Sequence, residues 1–81
     1  FTKTEIILEV ENWVSNSGYI YTLNVPDYKV SKINFISPQP RSVYEYRNSG
    51  IFVFEEQDSM LKFYATSKPD NDLYLNLVLG E

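Results

Sequence analysis

The closing stretch Leu73-Tyr74-Leu75-Asn76-Leu77-Val78-Leu79 constrains the fold more than any other part of the chain. Leucine at every second position would be scattered around a helix. In a strand it lines one face, because successive side chains point to opposite sides. The same period of two recurs upstream. Ile6, Leu8 and Val10 alternate with Glu5, Ile7, Glu9 and Glu11. Tyr19, Tyr21, Leu23 and Val25 alternate with Thr22 and Asn24 after the turn cluster Asn16-Ser17-Gly18. Leu61, Phe63 and Ala65 alternate with Lys62 and Tyr64. Each pattern reads as a strand with one buried face.

Two further strands complete the set. Ile33 to Ser37 is short and closed by Pro38 and Pro40, and Ile51 to Glu56 carries Ile51 and Val53 opposite Phe52 and Phe54. Pro26-Asp27, Gln57-Asp58-Ser59 and Lys68-Pro69-Asp70-Asn71-Asp72 supply the turn chemistry between strands. Ser42-Val43-Tyr44-Glu45 matches the S-x-x-E capping box, and Ser49-Gly50 would stop a helix soon afterwards, so a helical turn is expected at 43–47. The expected fold is all-β, a compact antiparallel β-sandwich or small barrel of about six strands with one short helical turn. Its 81 residues suit one domain, 1–81. The chain opens on Phe1 with neither Met nor a signal peptide, so it is expected to be a piece of a longer protein, its C-terminal part.

Composition removes most chemistries. The chain has no Cys, hence no disulfide framework, thiol nucleophile or thiolate metal site. It has no His, the usual general base and metal ligand near neutral pH. A net charge of −4 opposes binding to a phosphate backbone, and no apolar run approaches the ~18 residues of a membrane span. Nucleic acid and membrane are therefore not expected partners. Glu55-Glu56 is the one adjacent carboxylate pair, but neighbours on a strand face opposite ways and cannot flank one bond. Asp70-Asn71-Asp72 resembles part of a calcium loop without the required Gly and distal Glu, and reads as a turn. No Ser has a base to activate it, and the three Gly form no phosphate loop. The chain is expected not to be an enzyme, with no cofactor and no metal.

The inward set is Ile6, Leu8, Val10, Tyr21, Leu23, Val25, Ile33, Phe35, Ile51, Val53, Leu61, Phe63, Leu73, Leu75, Leu77 and Leu79. The opposite parity still carries Ile7, Ile20, Phe52, Phe54, Tyr64, Tyr74 and Val78. Three readings of this second set are open: cover by the domain's own loops, a subunit interface, or an aromatic ligand groove. Phe52, Phe54, Tyr64, Tyr74, Ile7 and Ile20 are the candidate interface. Trp13 and Tyr19 are candidate ligand contacts, suited to stacking on a glycan.

The order of features resembles a known kind of module. Asn12-Trp13 ends the first strand, and Tyr19-x-Tyr21-Thr22-Leu23-Asn24-Val25 forms the second. Ser37-Pro38-Gln39-Pro40 precedes Tyr44-Glu45-Tyr46 and Ser49-Gly50-Ile51, then Leu61-x-Phe63. Pro69-Asp70-x-Asp72-Leu73-x-Leu75-Asn76-Leu77-Val78-Leu79-Gly80 closes the chain. This is similar to a short C-terminal β module of tail, baseplate and fibre proteins of phages and prophages of Gram-positive bacteria. The resemblance covers nearly the whole chain but brings no catalytic or binding residues with it. It implies a virion structural or appendage role in repeated copies, trimers above all, beside other virion proteins. It also implies contact with the host surface, and a location in the particle, extracellular after release. One departure stands out: Phe52, Phe54 and Glu55-Glu56 fill a strand where smaller or more polar residues are expected. The alternative is a carbohydrate- or receptor-binding module that reaches a host cell-wall glycan through exposed aromatic residues. A small intracellular regulator is a third reading, resting on the acidic charge and the lack of Cys.

Overall fold

A computed structural model describes residues 2–31 and 34–80. The chain forms β1 (Thr2–Leu8), β2 (Val14–Ser15), β3 (Tyr19–Asn24), β4 (Asn34–Pro38), α1 (Val43–Asn48), β5 (Phe52–Gln57), β6 (Met60–Ala65) and β7 (Leu73–Leu79). Short 3-10 turns at Val10–Asn12 and Pro40–Ser42 precede β2 and α1. The strands make two antiparallel sheets, one ordered β1-β7-β4 and the other β2-β3-β6-β5. The all-β fold and its strands follow the periodicity, and the one short helix among the described residues lies where the capping-box pattern put it. The two-residue β2 adds a strand beyond the expected six.

β7 is the central strand of its sheet and carries the most concentrated core. Leu73, Leu75 and Leu77 are fully buried and Leu79 nearly so. Together they stabilise the fold by on the order of 6–12 kcal/mol before chain entropy is counted. Ile6 and Leu8 from β1 flank them, and Tyr21, Leu61, Phe63 and Ala65 face them from the other sheet. Trp13, Val25, Tyr28 and Ile51 plug the sandwich from the connections, while Leu23, Ile36 and Val53 pack partly buried against it.

Several expectations are corrected. Phe35 is 61% exposed, while its neighbour Ile36 packs against the core. β4 thus has the opposite parity to that expected, and Ile33 lies outside the described residues. The reason is polar: Asn34 pairs with the inward Leu79 and donates its side-chain amide to the buried Tyr28 hydroxyl at 3.1 Å. Val10 is not on β1 but lies half-buried in an otherwise exposed turn, its N–H held at 2.8 Å by the Asp72 carboxylate. That turn drops Trp13 into the core.

The helix sits at the expected place without the expected cap. Ser42 makes no side-chain capping bond; its Oγ accepts the Tyr74 N–H at 2.9 Å. Glu45 accepts from the Asp70 and Asn71 N–H groups and from the Asn71 amide. The polar 68–72 connection has backbone donors of its own to satisfy, and the two capping-box side chains serve that connection and β7 instead.

Candidate functional site

The inner face of the four-stranded sheet fixes what lies on its outer face. Tyr21 opposes Phe63, which opposes Val53, and all three turn inward. One residue away, Val14 opposes Ile20, Ile20 opposes Tyr64, and Tyr64 opposes Phe52. This second row crosses all four strands on the solvent side. Val14 is 64% exposed and Phe52 50%.

A bulge adds a third ring. Val53 pairs with Phe63, but the next rung joins Glu55 to Lys62, so Phe54 is an extra residue in β5. It stays 43% exposed and meets Tyr64 edge-on, ring centres 6.3 Å apart at 78°. Phe52 lies tilted at 43° with its centre 5.4 Å from Tyr64. Tyr64 is held at its far end, where its hydroxyl donates to the Ser17 carbonyl at 2.6 Å. Gly18, at φ 122°, lets the ring come so close to the β2–β3 turn. The next row, Thr22, Lys62 and Glu55, is polar, with Lys62 Nζ 3.8 Å from Glu55. The result is an apolar band with a charged border.

The six candidate interface residues divide between two faces. Ile20, Phe52, Phe54 and Tyr64 meet on the outer face of the four-stranded sheet. Ile7 and Tyr74 pair with each other on the outside of the three-stranded sheet. There the Arg41 guanidinium lies 3.5 Å above the Tyr74 ring and 3.4 Å from Glu5. Gln39 adds bonds to Glu5 at 2.6 Å and to Asn76 at 3.3 Å. On that side the domain's own 39–41 segment covers part of the face. Its exposed apolar residues are Ile7 and, more fully, Phe35, opposite Val78.

The candidate ligand contacts do not form a platform. Trp13 is buried, packed edge-on to Tyr21 at 5.3 Å, and its indole N–H meets no acceptor among the described residues. Tyr19 is half-buried on the inward side of β3, opposite Ala65. The stacking role expected of Trp13 is therefore withdrawn, because the ring fills the core.

The carboxylates hold structure. Glu55 pairs with Lys62, while Glu56, across from the buried Leu61, accepts a hydrogen bond from the Tyr28 hydroxyl. Burial, then the bond to Glu56 and its charge, push the Tyr28 hydroxyl up to about 12. This Tyr28–Glu56–Asn34 cluster carries no periodic signal, since Tyr28 sits in a connection. Burial also raises Tyr46. Among the described residues no group of three or more acidic side chains is placed to hold a metal ion. No helix there is long and apolar enough to cross a membrane. A cleft of about 770 Å³ opens between the start of β1 and the 25–29 connection, lined in part by Thr2, Thr4, Asp27 and Lys29.

Comparison with protein-family models, with curated proteins and with solved structures returned no match. The likeness to phage tail, baseplate and fibre modules thus rests on the motifs quoted above.

Proposed function

We propose that this domain is a non-enzymatic assembly module that docks through the outer face of its four-stranded sheet. The observation that carries the reading is the row Val14, Ile20, Tyr64 and Phe52 with Phe54 beside it. Isolated exposed apolar residues are ordinary, but a contiguous band of them with a polar rim is the composition of a protein contact. The face docks on further copies of the chain, three in the arrangement the resemblance implies, and on other virion proteins of a tail, baseplate or fibre. That virion setting is supported by the motif resemblance.

The glycan reading is weaker on the same geometry. Sugar stacking needs ring faces presented to solvent, whereas these rings are fanned at 43° and 78° to Tyr64, and the Tyr64 hydroxyl is already engaged.

Light scattering across a concentration series tests the proposal. Wild-type protein should form a defined oligomer, and Phe52→Lys should remove the outer-face contact and lower the number of chains in it, while the domain still unfolds cooperatively. A wild-type monomer up to about 1 mM, the weak limit of specific association, would refute it. So would an oligomer indifferent to Phe52→Lys. The virion setting predicts that peptides of this domain appear in purified particles at a fixed ratio to other virion proteins.

A further inference from the structure

Two open sheets leave four edge strands, and three of them are blunted here. β2 has two residues, β4 ends in Pro38, and β5 is bulged at Phe54. β1 is different. Its ladder to β7 runs without a break from Thr2 opposite Leu79 to Leu8 opposite Leu73, with no Pro, Gly or bulge. Residues 2–5 are all exposed. Among the described residues, the backbone of 2–8 makes no hydrogen bond outside that ladder. Such an edge is a template for another strand.

The side chains select which strand. Thr2-Lys3-Thr4-Glu5-Ile6 has opposite charges placed symmetrically about Thr4. Only alternate residues of an edge direct their N–H and C=O outward, so antiparallel pairing of two identical edges allows alternate registers. With Thr4 opposite Thr4, Lys3 of each copy faces Glu5 of the other, twice. Sliding one step either way places Lys3 opposite Lys3 or Glu5 opposite Glu5, and in-register parallel pairing also sets like against like. One register is attractive and its neighbours are repulsive. The partners are also disposed for it: Lys3 makes no ion pair among the described residues, and the contacts of Glu5 with Gln39 and Arg41 are directed at Oε2.

We propose that β1 is a two-fold contact to a second copy of this chain, antiparallel about Thr4 and locked by two Lys3–Glu5 pairs. It joins the three-stranded sheets of two copies into one continuous sheet of six strands. The contact is separate from the outer-face docking and stands without it.

Sedimentation velocity at low salt tests it. In a Phe52→Lys background, where the outer face no longer docks, the chain should form a two-chain species. Lys3→Glu and Glu5→Lys should each weaken it at least about tenfold, since both attractive pairs become repulsive. An equimolar mixture of the two variants should restore it as a heterodimer, because each then supplies the charges the other lacks. Salt near 1 M, with a Debye length of about 3 Å, should loosen this contact and spare an apolar one. Should Glu5→Lys disturb the fold, Glu5→Gln removes the charge alone and should still weaken pairing severalfold. Absence of a two-chain species in that background at about 1 mM, single variants that associate like their parent, or a mixture that stays monomeric would each overturn the proposal.

Discussion

Gly18→Ala is the substitution whose cost the structure defines most fully. Gly18 has φ 122°, a conformation almost confined to glycine, and forcing alanine into it costs about 1–3 kcal/mol. The new methyl would also fall 2.1 Å from the Tyr64 hydroxyl and 2.4 Å from the ring carbon that bears it. The ring must leave. In leaving, it forfeits the hydrogen bond to Ser17, about 0.5–1.5 kcal/mol net, and loosens the contacts with Phe52 and Phe54, worth a similar amount. The expected loss is therefore roughly 2–6 kcal/mol, a large share of the stability of so small a domain. Urea unfolding followed by the fluorescence of Trp13 would read it. In a Tyr64→Ala background only the backbone part should remain, so the two substitutions should be clearly non-additive. A cost below about 1 kcal/mol, or the same cost in both backgrounds, would refute the argument that this glycine exists to seat Tyr64.

Three further outcomes follow from the same contacts. The raised Tyr28 keeps its proton in the folded state where the unfolded chain, near 10, has lost it. The stability it contributes is whole below about pH 10 and drains away between about 10 and 12, and Tyr28→Phe should flatten that limb in pH-resolved melts. Glu45→Ala strips the acceptor from two backbone donors and one amide of the 70–71 turn, and should cost about 1–2 kcal/mol with faster hydrogen exchange at Asn71. Deleting Phe54 leaves Val53 and Glu55 on consecutive rungs of the ladder, so chemical unfolding should stay within about 1 kcal/mol of the parent while light scattering shows weakened self-association; a deletion that unfolds the domain would refute the reading of Phe54 as a spare residue.

Much of the sandwich was legible because polar and apolar residues take turns along it. β7 is the plainest case, and its Leu face could be buried in only one way. β4 was not legible, since Ile33, Phe35 and Ile36 put apolar residues on both parities. Its orientation is decided by Tyr28, which lies in a connection and reaches the core by tertiary packing alone. Local motifs misled where distant groups competed for the same atoms, as Ser42 and Glu45 show by bonding to β7 and the 70–71 turn. For the candidate site, parity identified Ile20, Phe52, Phe54 and Tyr64 as outward. Their gathering into one band, and the removal of Ile7 and Tyr74 to the other sheet, depend on strand order, which periodicity does not contain.

The bulge ties the structural and functional arguments together. In an unbroken strand, inward Val53 would be followed by outward Phe54, and Glu55 would then turn into the core opposite Leu61, where an unpaired carboxylate is expensive. The bulge resets the parity by one, so that Glu55 reaches Lys62 outside and Glu56 reaches the Tyr28 hydroxyl at the inner side. A strand lacking Phe54 would place both carboxylates in the same way with a regular ladder. The extra residue therefore gives the isolated fold nothing it needs for parity. Its distinct effect is a third ring against Tyr64, which enlarges an apolar face that a solitary domain would do better to lose. The proposed contact surface would account for that addition; the parity of the strand does not.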